Sequence, residues 1–288
     1  MTTFHPEVKA DDAAPPVAGS STLLVERKKK APKGHHAIID RVRFLAAPLA
    51  ILSGLALWEI AARLELMNPL FLPKFTAVIR RLWPLLTSGE LNEDFAASAG
   101  PYFIGIALAA STGIVLGLAM GLIPIVNSAL MPWVMIFNSI PRIALIPMII
   151  VILGIGNTMH FFVVFMTAVF PILLNVATGS ATVDPHLKQM GKSFGAGTPL
   201  VIRKIVLPAT VPFMIAGLRL ALGRSLVGII VAELFAARAG IGYRLFQYGD
   251  VFDTTGVYSM VIIIAAVGVV FNQGLAMLER RLSVWRTA

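Results

Sequence analysis

The chain has 288 residues, of which 57% are hydrophobic and 14% charged, with a mean hydropathy of +0.82. Soluble domains carry about 25% charged residues, so this composition excludes an ordinary soluble fold. The net charge of +9 does not mark a nucleic-acid surface, because the basic residues lie in short segments between apolar runs. Cysteine is absent, which excludes a disulfide framework, a thiolate metal site and a cysteine nucleophile.

Residues 1–43 are polar, rich in Pro and Ala, and end in Arg27, Lys28, Lys29, Lys30, Lys33, Arg41 and Arg43. They read as a disordered basic cytoplasmic tail, and residues 44–286 read as a transmembrane domain. The apolar run from Phe44 to Leu64 is too long for the core of a cleavable signal and serves as an uncleaved first helix. Between Asp94 and Asp184 the only ionised side chain is Arg142, and Thr254 to Leu278 carries none. About 20 apolar residues cross a bilayer as a helix. Six spans are therefore predicted, at 44–64, 100–123, 130–153, 159–180, 211–234 and 256–278, giving an all-α membrane protein. The 65–99 loop contains an amphipathic stretch, Phe75 to Leu86, suited to a membrane surface. Fourteen Lys and Arg fall on the N-terminal side of the membrane and five on the other, or six with Arg63. Both termini and the 181–210 loop are accordingly expected in the cytoplasm.

The 181–210 loop is the most informative segment. Asp184 before Pro185 is a helix N-cap followed by proline in the first turn, and Thr198 before Pro199 repeats the arrangement. Gly195-Ala196-Gly197 supplies a break between them. Two short helices joined by a tight glycine turn are predicted. On the first, Leu187, Met190 and Phe194 recur at helical spacing, leaving an apolar edge for the membrane surface or a partner.

The same loop resembles that of importer permeases of the ABC class, which carry E-A-A, three residues, G, nine residues and I-x-L-P. Gln189, Met190 and Gly191 stand at the E-A-A positions, Gly195 at the G, and Ile205, Leu207 and Pro208 at I-x-L-P. The acidic residue is lost, and at Gly191 only small size is kept. The likeness extends over about residues 45–286 and is closest to the nitrate, sulfonate, taurine and bicarbonate branch. It is carried by Trp58-Glu59, Ser139-Ile140-Pro141 through Pro147, Leu153-Gly154-Ile155-Gly156, Phe170-Pro171-Ile172 and Ala216-Gly217-Leu218-Arg219. Ala232-Glu233, Gly240-Ile241-Gly242-Tyr243 and Leu278-Glu279-Arg280-Arg281 continue it. That branch often places an Arg three residues after a Ser at the start of span two; here Pro101 follows Ser98 at that distance.

The resemblance implies a type I ABC importer permease in the bacterial inner membrane, working as a pair. Two ATP-binding cassette subunits would dock on the 181–210 loops, and a periplasmic binding protein would deliver a small anionic solute. No cofactor is expected in this chain, with ATP bound by the partner subunit. Gly191-Lys192-Ser193 imitates the end of a phosphate loop, but His186 stands where the required glycine would be and no strand precedes it. An ion-gradient-driven secondary transporter is the alternative; it would normally show repeat symmetry and more spans. An integral-membrane enzyme would need clustered His, Asp or Cys, and the inner loops offer only Asp184, His186 and Ser193.

Candidate pathway residues are Arg142 with its flanking Pro141 and Pro147, together with Arg224 and Glu233. An arginine at depth costs about 2.5–3.5 kcal/mol on insertion scales and rarely faces lipid. Arg142 reads either as a cation on a hydrated wall or as a lock on the proline kink. Arg224 and Glu233 read equally as pathway or pairing residues. Pro171 is a further candidate bend. Glu59 and Arg63 read as an interfacial ion pair, and Arg219 as a snorkelling side chain. A reporter fused after residue 190 or at the C-terminus should give a cytoplasmic signal, and one fused near residue 90 a periplasmic signal. A periplasmic signal from residue 190 would reverse this orientation.

Overall fold

The computed structural model describes residues 33–282; the expected tail falls largely outside them. The described part is all helical. By its internal contacts the chain divides after Ser53. The first unit contributes the start of helix α1 (Lys33–Arg63), which carries Pro48 and leaves Leu49, Ile51 and Leu52 exposed.

The second unit takes in the end of α1 and then α2 (Phe75–Thr87), α3 (Asn92–Leu122) and α4 (Pro124–Ser139). A short 3₁₀ turn (Arg142–Leu145) leads to α5 (Ile146–Leu153), followed by α6 (Asn157–Ala181), α7 (Pro185–Ser193) and α8 (Thr198–Val201). A π turn (Ile202–Val206) joins α8 to α9 (Leu207–Ala236), and α10 (Ile241–Asp250) and α11 (Thr254–Leu282) complete the chain.

Among the described residues four helices are long and apolar enough to cross a membrane: α3, α6, the continuous helix Thr198–Ala236, and α11. At 1.5 Å per residue the 31 residues of α3 span about 46 Å, well beyond a bilayer core of about 30 Å. The segment predicted as a third span bent at Pro141 and Pro147, 130–153, is broken outright at the first of them. Its two halves, Pro124–Ser139 and Arg142–Leu153, meet at 82° and make a fifth crossing only if taken together. The break falls at Ile140-Pro141, both extended, because the residue before a proline is disfavoured in the helical region. Pro147 does not add a second break. It sits in the first turn of α5, where the missing N–H costs nothing. Pro171 likewise lies inside an uninterrupted α6.

The core is α6, packed on one side by α3 and on the other by α9. Of its apolar window 56% is buried, against 11% for α11. Lipid hydrocarbon is as apolar as leucine, so helices in a membrane associate by close approach rather than by expulsion of water. A stripe of small residues at every fourth position of α3 allows it: Gly105, Ala109, Gly113, Gly117 and Gly121. A Cβ at Gly117 would lie 2.7 Å from the Leu173 carbonyl oxygen, and one at Gly105 2.6 Å from Val164. Gly217 on α9 approaches Pro171, Ile172 and Asn175 of α6 in the same manner. Above this core Tyr102 stacks on Phe271 and donates its hydroxyl hydrogen to the Leu222 carbonyl at 2.9 Å.

The amphipathic stretch predicted at 75–86 is α2. Its buried edge is Val78 and Leu85, while Ile79, Trp83 and Leu86 stay exposed. Glu59 at the end of α1 accepts from the Thr76 backbone N–H (3.1 Å), the Thr76 hydroxyl (3.0 Å) and Arg63 Nε (2.7 Å), so the expected ion pair also holds the start of α2.

Gly117→Ala should destabilise the protein by about 1–3 kcal/mol, because its Cβ meets backbone. Gly100→Ala, with open space at its Cβ, should be neutral or stabilising by up to about 1 kcal/mol. Thermal unfolding in detergent reads both, and equal shifts of the same sign would refute the close-packing argument.

Candidate functional site

Three constellations stand out along the core. The first is the 181–210 segment. Asp184 caps α7 as predicted, its Oδ1 accepting from the His186 N–H at 2.8 Å. The turn after α7 is a Schellman motif: the Gly195 N–H bonds to the Lys192 carbonyl (2.9 Å) and the Ala196 N–H to the Gly191 carbonyl (3.0 Å). Gly195 has φ +80 and free space at its Cβ, so the backbone conformation, rather than a neighbour, demands glycine. Gly191 packs against Ile205: a Cβ there would come within 2.9 Å of Cδ1, the movable end of that side chain.

The second half of the segment differs from expectation. Thr198 lies inside α8, and the residue before the helix is Gly197, with no side-chain cap. Nor is α8 a separate short helix, because it runs through the π turn into α9. Pro208 gives the reason: its ring would clash with the carbonyl four residues back and it offers no N–H. The backbone widens there, and the Leu207 N–H bonds to the Ile202 carbonyl. Gln189, Leu187 and Met190 are exposed, and Phe194 is 85% exposed.

The second constellation is the break between α4 and α5. Arg142 opens the 3₁₀ turn and donates from Nη2 to Asn138 Oδ1 at 2.8 Å and more weakly to the Asn138 carbonyl at 3.4 Å. Its guanidinium lies over the Phe170 ring of α6 at 5.3 Å. Its Nε is buried without an acceptor. Arg224 on α9 is exposed. Pro141 stands at the break itself, and Pro147 lies in the first turn of α5.

Glu233 belongs to a third constellation at the far end of α9, where it is 1% exposed. Its Oε2 accepts from the Gly242 N–H at 2.7 Å. Ser98 Oγ accepts from the Ile241 N–H and Asp94 Oδ1 from the Gly240 N–H, each at 3.0 Å. Three side chains from α3 and α9 thereby cap the first N–H groups of α10. Asp94 Oδ2 also accepts from Arg244 Nε at 2.8 Å, and that hydrogen bond raises the Arg244 pKa above its ordinary value. A Cβ at Gly242 would lie 2.3 Å from the Ile230 carbonyl oxygen, so α10 sits directly on α9. Sequence reasoning missed α10, Asp94 and Ser98. The legible signals were the two glycines at 240 and 242 and the i,i+4 spacing of Asp94 and Ser98. Arg219, read as snorkelling, pairs instead with Glu279 on α11. Among the described residues no three His, Asp or Glu side chains converge on a metal site.

A core of tightly packed, long apolar helices with an exposed helical hairpin defines an all-α protein of the multi-span membrane class. The chain belongs to the family of binding-protein-dependent transport system inner membrane components, which it matches over residues 109–284. It is 30% identical over 242 residues to the taurine transport system permease of Escherichia coli (strain K12), covering 82% of this chain and 87% of that one. A probable ABC transporter permease of Brucella abortus (strain 2308) is 32% identical over 215 residues, 75% and 86% of the two chains. The nitrate import permease of Synechococcus elongatus is 32% identical over 199 residues, 69% and 70%. Among solved structures, the inward-facing MetNI methionine ABC transporter has the same fold, with a TM-score of 0.61 at 18% identity, over 69% of this chain and 98% of that one.

Asp94→Ala should leave the Gly240 N–H and the Arg244 guanidinium without their acceptor and cost about 1.5–3 kcal/mol. Hydrogen exchange should show faster opening of α10 than of α6. Unchanged protection of α10 would count against its being held from α3.

Proposed function

We propose that this chain is the membrane-spanning permease subunit of an ATP-driven importer in the bacterial inner membrane, with both termini cytoplasmic. Two copies enclose the pathway, a pair of ATP-binding cassette subunits bind ATP and dock on the 181–210 segments, and a periplasmic binding protein delivers the solute. The chain itself contributes no catalytic group and no cofactor.

The observation that carries this reading is the exposed apolar edge of Leu187, Met190 and Phe194 on a helix that is rigidly tied to α9. A surface connector needs only to be polar. This one is capped at Asp184, locked by a Schellman turn at Gly195 and packed through Gly191 onto Ile205, so a push on α7 reaches Leu207 and Pro208 at the head of α9. Gln189 at the acidic position of the motif leaves the contact to shape and apolar area. Movement of that rigid unit would tilt α9 against the α3–α6 core and change which side of the pathway is open.

The solute is a small anion of the sulfonate, taurine or nitrate type. The permeases of Escherichia coli and Synechococcus elongatus that this chain resembles are named for taurine and nitrate. Arg142, the only ionised side chain between Asp94 and Asp184, stands at the break in the helix pair, flanked by Pro141 and Pro147. Such a site attracts an anion and also releases it.

Gly195→Val forces a β-branched residue to φ +80 and should reduce ATP-dependent uptake by the reconstituted complex at least about tenfold while membrane abundance stays near normal. ATPase activity should persist but lose its stimulation by the loaded binding protein. Full-rate uptake by Gly195→Val would refute the coupling role. Uptake driven by an ion gradient without ATP would favour the secondary-transporter alternative.

A further inference from the structure

Glu233 is 1% exposed, yet only one of its two carboxyl oxygens has a partner. Oε2 accepts from the Gly242 N–H, while Oε1 is buried with none. The group lies against Gly240: a Cβ there would fall 2.6 Å from Cδ and 2.8 Å from each oxygen. The N–H of the same glycine is held by Asp94 Oδ1 at 3.0 Å. Two carboxyl groups therefore flank one glycine at the head of α10. The close approach of Gly242 to the Ile230 carbonyl leaves no room beside them for a side chain.

Among the described residues no cation is left for Glu233. Arg244, the only cation of α10, bonds to Asp94 Oδ2 at 2.8 Å and lies 3.9 Å from Glu90, so its one charge already faces two acids. Tyr248 of α10 lies beneath Arg81. The one titratable group of α6 is His160; its Nε2 is buried without a partner, as is Glu233 Oε1, so these two atoms are not bonded to each other. The α5 helix carries no titratable side chain, and α11 no charge from Thr254 to Leu278. Arg142 is engaged by Asn138, and Glu93 and Arg238 are exposed. An ionised carboxylate sealed from water without a counter-charge is strongly disfavoured. The neutral acid is not, and its hydrogen turns Oε1 into a donor in a cluster whose other members, Asp94 and Ser98, are acceptors.

We propose that Glu233 is a proton-binding site whose proton latches α10 onto α9 and α3, at the end of α9 remote from the hairpin. Seated, α10 encloses the neutral acid. Released, Glu233 meets water and ionises as an exposed carboxyl group does. Seating α10 therefore takes up one proton. A group whose neutral form is favoured in the seated arrangement holds that arrangement at low pH and gives it up as the pH rises. The α10 helix packs on α9, α11 and α3, so its release loosens three helices at that end together. The latch acts on the conformation of the chain and is independent of which solute crosses.

The test uses the full chain in nanodiscs, with hydrogen exchange at about pH 5.5 and about pH 7.5 corrected for the intrinsic rate at each pH. Protection of the α10 amides should fall by up to about tenfold per pH unit, while that of α6 stays within about twofold. Infrared absorption at about pH 5.5 should show the carbonyl stretch of a protonated carboxyl group that Glu233→Gln lacks. Glu233→Gln keeps an oxygen for the Gly242 N–H and cannot ionise, so its α10 should stay protected at both pH values. Glu233→Ala removes the acceptor, and its α10 should exchange faster at both. His160→Gln should keep the wild-type pH dependence. Protection of wild-type α10 that does not change with pH would overturn the latch, as would a pH dependence that persists in Glu233→Gln. An α10 as loose in Glu233→Gln as in Glu233→Ala would show that the ionised carboxylate is the form that holds it, and would overturn the proposal too.

Discussion

The close approach of α3 to α6 is the constraint on which the rest of the molecule depends. Gly105, Gly117 and Gly121 present backbone rather than side chain to Val164, Leu173, Val176 and Ala177, at separations that would not admit a Cβ, and Gly113 lies nearly as close to Ile172. In lipid, where burial of apolar area gains little, contact at this range supplies the dispersion energy and leaves no slack. A helix pair so joined behaves as one body, and α9 is seated on it through Gly217.

Against that fixed pair the remaining elements are tied down in different ways. The α10 helix is held by polar caps: Asp94, Ser98 and Glu233 accept from its first N–H groups, and Arg244 returns to Asp94. The break at Ile140-Pro141 is held by Arg142 against Asn138 and Phe170 on one side, and on the other by Leu145, Ile146 and Ile149, which pack with Met159 and Val163 of α6 and Ala232 and Ala236 of α9. The single charge in the long uncharged stretch therefore sits where the helix is interrupted.

The continuous helix from Thr198 to Ala236, about 58 Å long at 1.5 Å per residue, connects these regions. One end is the projecting hairpin, the middle carries Arg224, and the far end carries Glu233 against α10. Pro208 would ordinarily interrupt such a helix. The π turn before it takes up the missing hydrogen bond, so the helix runs on without a break from Thr198 to Ala236.

Much of this was determined by the sequence alone. Absence of charge marked the four long apolar helices found among the described residues, because ionised groups are costly in hydrocarbon, and Asp184-Pro185 with Gly195 marked the start and end of α7, because caps and positive φ are local requirements. The glycine stripe of α3 was equally legible at four-residue spacing, though only a partner helix gives it meaning. The tertiary structure decided what locality cannot. It showed that α8 fuses with α9, since the answer to Pro208 depends on how the backbone five residues earlier can relax. It turned the expected third span into two helices at 82°. It assigned Glu233 to a cap 9 residues away in sequence and Asp94 to one 146 residues away, because the satisfaction of a buried N–H is settled by whichever acceptor packing brings near.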